Sequence, residues 1–378
     1  MINIVEVTTK KQWKAFAKFP IDLYKDNPYY VPMFRNDDVN MANPEKNKSA
    51  KNCTVKAFLA YKDGVLVGRI AGIIVHESNE IYNQKRVRFS RFDFIEDISV
   101  AKALLDAVKN FGKENGLEEI HGPWGFNDTD REGMLTEGFD RQGSFATLYN
   151  YAYYPDFMDE LGFKGESFWV EEKFTLAPGG DPLLQRYIKL KEFVKKKFEL
   201  RELTETLSVK QILKDYGDKF FDCYNAAYSK LDMFVEIKDE AKQEVLDTFG
   251  AMLNRKYLSV VVDKNDDVVA FGVVLPAFGH IVKKHNGKMN LPFIIELFKT
   301  INHPTTLELT LVAVRPDYAK LGVTAACLGK ICEVIISEGV TDVVTDPTLE
   351  TNEAVRAQWA TVPTEVIKRR RTYIKDID

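Results

Sequence analysis

Apolar residues fall in a repeated order along the chain. Phe58–Val75 holds two apolar runs separated by Asp63-Gly64, which predicts a β-hairpin with a tight turn. Tyr257–Leu275 reads the same way, with its turn at Asp263–Asp267. In both, a glycine follows the turn aspartate at the same offset: Asp63 precedes Gly68 as Asp267 precedes Gly272. A strand-like run comes next in each case, Val87–Ile95 and Leu307–Val314.

An amphipathic helix then follows. Ala101, Leu104, Leu105, Val108 and Phe111 have helical spacing, as do Leu328, Ile331, Val334 and Ile335. Gly116 and Gly339 are placed to end these helices. Short strands run to proline at Leu117–Pro123 and Val340–Pro347, and a further helix and strand close each half. Hairpin, strand, helix, strand, helix, strand occurs twice, which predicts duplication of one α/β unit. The densest Pro/Gly punctuation, Ala177–Pro182, marks the boundary, and Leu183–Phe198 reads as a basic helix beyond it. The expected organisation is an N-terminal unit over 1–178, a connecting helix over 179–199 and a C-terminal unit over 200–378.

Composition narrows the possibilities. The 378 residues exceed the usual size of one domain. Charged residues make up 29% and the net charge is −4, so no global field recruits nucleic acid or an anionic membrane. The apolar runs Val65–Val75 and Val268–Gly279 are shorter than the ~20 residues of a membrane span, so no stable membrane insertion is expected. Met1–Glu6 lacks the pattern of a secretory signal. The four cysteines form no Cys-x-x-Cys pair and read as free thiols, which points to the cytoplasm. His280 and His285 do not share a helix face, and no metal site is expected. No Walker loop, dinucleotide fingerprint or nucleophile elbow occurs. Aromatic residues reach 12%, and Tyr149–Tyr154 is placed to line a cleft.

Chemistry concentrates after the third strand of the second half. Leu307–Val314 leads through Arg315-Pro316 and Tyr318 to a glycine turn at Gly322 and into a helix. A helix N-terminus presents unpaired N–H groups and partial positive charge, and a glycine lets backbone approach phosphate closely. This stretch resembles the phosphate loop of the GNAT (Gcn5-related N-acetyltransferase) superfamily, whose pattern is Gln/Arg-x-x-Gly-x-Gly/Ala. Gly322 matches, whereas Ala319 and Thr324 depart from it. The resemblance implies an α/β fold with a mixed sheet, here two tandem GNAT-like acyl-CoA acyltransferase folds. It also implies acetyl-CoA or another acyl-CoA as co-substrate, held by Val312, Ala313, Val314, Ala319, Lys320, Leu321, Gly322, Val323 and Thr324. Asn352 and its following residues resemble the family's Asn-x-x-Ala helix, which approaches the pantetheine.

Trp359 stands where many members place a tyrosine acid, so Tyr318 or Tyr373 would have to supply the proton. Glu308 lies where members often carry a catalytic glutamate, and apolar neighbours would raise its pKa. Taken whole, Lys25–Pro32, Gly138–Asp140, Tyr149–Pro155 and Lys368–Tyr373 resemble a group of bacterial tandem-GNAT proteins.

The first half differs where phosphates would sit. Arg91–Ala101 runs from strand to helix without a glycine and carries Asp93, Glu96 and Asp97, so coenzyme A is expected in the second half alone. The basic run Lys368–Arg371 reads as a solvated edge strand or an anion contact, and Asp130–Asp140 as a surface elaboration or a loop over the cleft. The leading expectation is transfer of an acyl group to a small-molecule amine acceptor. The alternative is a catalytically degenerate tandem fold that binds a ligand or acts as a scaffold.

Overall fold

The structure is a computed structural model describing residues 1–127, 130–176, 181–231, 234–237, 239–250, 253–359 and 362–377. Most of the boundary segment Ala177–Pro182 therefore lies outside the described residues. The strands of the first half are β1 (Ile2–Glu6), β2 (Cys53–Lys62), β3 (Val65–Val75), β4 (Arg86–Phe94), β5 (Glu119–Gly122), β6 (Met134–Glu137) and β7 (Lys164–Thr175). Those of the second are β8 (Arg201–Glu202), β9 (Leu258–Val262), β10 (Val268–Pro276), β11 (Thr306–Val314), β12 (Asp342–Thr345), β13 (Thr348–Leu349) and β14 (Thr364–Asp376).

The repeat legible in the sequence is visible in the backbone. Asp63 and Gly64 both have positive φ in the β2–β3 turn, as the tight turn requires. The helices Ile98–Glu114 and Thr324–Ser337 each bury an apolar face on the sheet. Each ends in a left-handed glycine, Gly116 at φ 70° and Gly339 at φ 66°. In both, the following residue donates back into the last turn: Leu117 to Gly112 and Val340 to Ile335, each at 3.0 Å. The basic segment forms the helix Pro182–Lys197, capped by Asp181.

All the strands join one mixed sheet, ordered β1-β2-β3-β4-β5-β14-β7-β12-β11-β10-β9-β8, with β6 beside β14 and β13 beside β7. The final strands are exchanged. β7, from the first half, pairs with β12 of the second, and β14, from the second half, pairs with β5 of the first. β7 and β14 then pair antiparallel with each other over most of their length.

The exchange overturns the edge-strand reading of Lys368–Arg371. β14 is central, and Lys368 and Arg370 are 3% and 2% exposed. Glu171 of β7 accepts from Lys368 Nζ at 2.7 Å and from Arg370 Nε at 2.5 Å. Arg369 pairs with Glu350 and Glu137, and Arg371 with Asp159. The cations answer carboxylates of the neighbouring strands and loops, a signal that sequence spacing does not carry.

Candidate functional site

The sheet has two parallel joints, and each opens into a splay. β4 and β5 pair over Arg86–Arg88, and β11 and β12 over Thr306–Leu309. Beyond these points the partners diverge and leave one edge of β4 and of β11 facing a gap. The two gaps have different fates.

In the first half the gap is filled. Only about 30 Å³ remains, between residues such as Tyr30, Phe92, Tyr149 and Tyr154. Phe94 is opposite Gly68, as Val312 is opposite Gly272, so Phe94 and Val312 are counterparts in the repeat. The Phe94 N–H donates to Tyr154 Oη at 2.9 Å, and Tyr153 Oη donates to the Phe94 carbonyl at 2.7 Å. Tyr149–Tyr154 therefore plugs this cleft as much as it lines it. The helix end is also taken. Asp97 caps Ile98–Glu114 through the Ser99 N–H at 2.9 Å and pairs with Lys62 at 2.7 Å. Asp93 is held by Arg69 at 2.7 Å, and Arg69 in turn pairs with Asp38 at 2.6 Å.

In the second half the gap is open and continues into a cavity of about 660 Å³. Arg315 N–H donates to the Val269 carbonyl at 2.9 Å, which fixes the alternation along β11. Residues in non-hydrogen-bonded register against β10, Val312 and Val314, thus turn their backbone groups toward the gap. The Val312 carbonyl accepts from Tyr228 Oη at 3.4 Å. A register shift in this pairing at Val273/Val274 leaves Thr310 unpaired with β10 and re-aims the strand.

Gly322 stands in the left-handed region at φ 75°, and a Cβ there would meet nothing within 4 Å. Its conformation turns the chain from the short 3₁₀ turn Ala319–Leu321 into the helix Thr324–Ser337. The helix has no side-chain cap. Among the described residues, the amides of Gly322, Val323 and Thr324 have no hydrogen-bond acceptor. Such a cluster of N–H groups is the donor set a pyrophosphate needs.

Of the residues named from the sequence, Val312, Ala313, Val314, Ala319, Thr324 and Asn352 line the cavity. Lys320, Leu321 and Gly322 are exposed at its mouth turn, and Val323 is buried in the core. Asn352 Oδ1 accepts from the Val355 N–H at 3.3 Å and so caps its own short helix. Trp359 lines the cavity, with its Nε1 donating to Glu172 at 3.1 Å.

Neither tyrosine considered as acid reaches the gap. Tyr318 Oη bonds Asp263 at 3.0 Å, and Tyr373 is fully buried in the first half's core. Among the described residues, the tyrosines lining the cavity are Tyr224 and Tyr228; Tyr228, stacked on Tyr224 at 4.4 Å, ends the helix Val209–Tyr228 and reaches β11. Its distance in sequence from the loop hid it.

Glu308 is 4% exposed and lies behind the cavity wall, where Ser144 Oγ donates to it at 3.2 Å. Burial, then the nearby Asp346 carboxylate, pushes its pKa well above the ordinary range. Asp346, just past β12, does line the cavity. Burial, followed by the Glu171 carboxylate, raises it to about 7 against the pull of Lys368 and Arg370. Asp346 was not among the residues named from the sequence; an acid directly before Pro347 at the end of the parallel strand was its only signal. Across the cavity, Asp130 and Glu132 of the Asp130–Asp140 segment join Trp124 and Trp169, which meet edge to face at 5.7 Å. That segment therefore reaches the site.

No family model matches the chain. A curated relative, Protein YghO of Escherichia coli (strain K12), is 26% identical and covers 97% of this chain and 94% of its own length. A tandem GNAT protein from the clavulanic acid biosynthesis pathway superposes over 100% of this chain and 99% of its own, with TM-score 0.54 and 11% identity. A GCN5-related glucosamine N-acetyltransferase region of a fungal multi-domain β-N-acetylglucosaminidase gives TM-score 0.52 at 11% identity, over 99% of this chain and 38% of that one. With two splayed parallel joints, a duplicated element order and end-to-end superposition on a tandem GNAT protein, the chain has the tandem GNAT fold.

Proposed function

We propose that the chain is an acyl-CoA-dependent N-acyltransferase with its working site in the second half. The observation that carries this reading is the contrast between the two splays. One is closed by its own tyrosines and carboxylate cap, and the other keeps a cavity, edge N–H groups of β11 turned toward it and a helix N-terminus without a side-chain cap. The amides of Gly322–Thr324 hold the pyrophosphate, with Lys320 nearby, and the edge of β11 runs beside the pantetheine. When bound, acyl-CoA supplies the activated acyl group.

The acceptor amine enters on the side lined by Trp124, Trp169 and Glu132, beside Asp130, which already answers Arg91 at 2.9 Å. Asp346 takes a proton from the ammonium, with Glu308 behind it sharing the titration. The neutral amine attacks the carbonyl carbon while the Val312 N–H faces the developing oxyanion; collapse breaks the C–S bond, Tyr228 protonates the leaving thiolate, and the attacking nitrogen gives its second proton back to the Tyr228 oxygen.

Free coenzyme A or acetyl-CoA at tens of micromolar raises the melting temperature if this reading holds. No shift with any coenzyme A derivative defeats it. Binding without thiol release across a pool of amines leaves a ligand-binding protein and defeats the transferase.

A further inference from the structure

The cavity is larger than an acetyl group needs, and its far lobe has one character. One wall is the sheet, where half-buried Leu309 and Leu311 of β11 line the cavity in front of the packed Leu258, Val260 and Leu275. The opposite wall is the helix Val209–Tyr228, contributing half-buried Leu213, Phe220 and Ala227, with Leu246 of the helix Asp239–Gly250 beside them. The charged residues that line the cavity, Asp130, Glu132, Lys230 and Asp346, stand on neither wall. Protein interiors leave few voids larger than a water, and an apolar one stays dry. This part of the cavity, walled by aliphatic and aromatic side chains and continuous with the β11 edge at Leu309–Val312, is shaped for a chain of methylenes.

We propose that this lobe is an acyl-chain pocket and that the preferred donor is an acyl-CoA of medium or longer chain. The inference rests on the acyl-CoA reading of the second half. The chain lies between the helix Val209–Tyr228 and the sheet, while the thioester stays at Val312. Polar or charged acyl groups are excluded because the lobe gives them no partners.

The test is calorimetric binding of free CoA, acetyl-CoA, butyryl-CoA and octanoyl-CoA to the full chain. Full burial would tighten binding roughly three- to fourfold per methylene, and a net gain of at least about tenfold from acetyl to octanoyl is expected. Leu213→Trp fills the lobe and flattens this dependence while leaving free CoA binding unchanged. Leu246→Trp does the same from the neighbouring helix, and serves if Leu213→Trp melts early. Octanoyl-CoA binding no tighter than acetyl-CoA overturns the pocket but leaves the coenzyme A site standing. A length dependence that survives both variants also overturns it. No binding by any member of the series removes the acyl-CoA reading and the pocket together.

Discussion

A carboxyl that titrates near 7 weakens the fold that holds it, because the unfolded chain gives up the proton at ordinary carboxylate pH and the folded chain does not. For Asp346, raised to about 7, the penalty is absent in strong acid, grows as pH rises, and is complete above 7. Asp346→Asn is therefore expected to raise the melting temperature at pH 8 and to leave it nearly unchanged at pH 4. The same variant loses about 10²–10⁴ in turnover, with the acidic limb of the pH–rate profile removed. A variant as active as the parent across pH would show that the proton goes elsewhere. At the phosphate turn, Gly322→Asp and Gly322→Asn share the cost of a left-handed side chain, since Asn and Asp tolerate that conformation alike. Only the first brings negative charge beside the amides. Calorimetry with coenzyme A should show binding lost in Gly322→Asp and retained, weakened, in Gly322→Asn.

At the scale of elements, the hairpins, the third strands and both long helices were legible from period and turn chemistry alone, and the glycine stops stand where the helices end. Strand partnership was not. Alternation identifies a strand but not its neighbour, so Lys368–Arg371 read as a solvated edge although two of its cations lie in the core. Their counter-charge, Glu171, is about 200 residues away in sequence and adjacent only after the final strands exchange. The candidate site divides the same way. The local turn at Gly322 was readable, whereas Glu308, read as the base, lies on the expected strand but behind the cavity wall. Asp346, Tyr228 and the tyrosine plug depend on contacts between distant elements. Removing the shared carboxylate with Glu171→Ala strands two buried cations, and a loss of about 3–5 kcal/mol is expected from urea unfolding. Lys368→Met with Glu171→Leu removes cation and anion together and should recover much of that loss.

At the scale of the whole molecule, exchange makes each half depend on the other. A fragment of residues 1–176 lacks β14, the partner of β5, β6 and most of β7. Alone it should be aggregated or unfolded by circular dichroism, and co-expression with residues 181–378 should restore a soluble complex. Duplication followed by divergence also explains the aromatic content. In the first half the aromatics close a cleft, and in the second they wall one.

One half of this duplicated fold is proposed to hold coenzyme A, and the other to have closed its site. Isothermal titration of the full chain with coenzyme A tests it most directly. One site per chain is expected, abolished by Gly322→Asp. Two sites per chain, or one that survives Gly322→Asp, would contradict it.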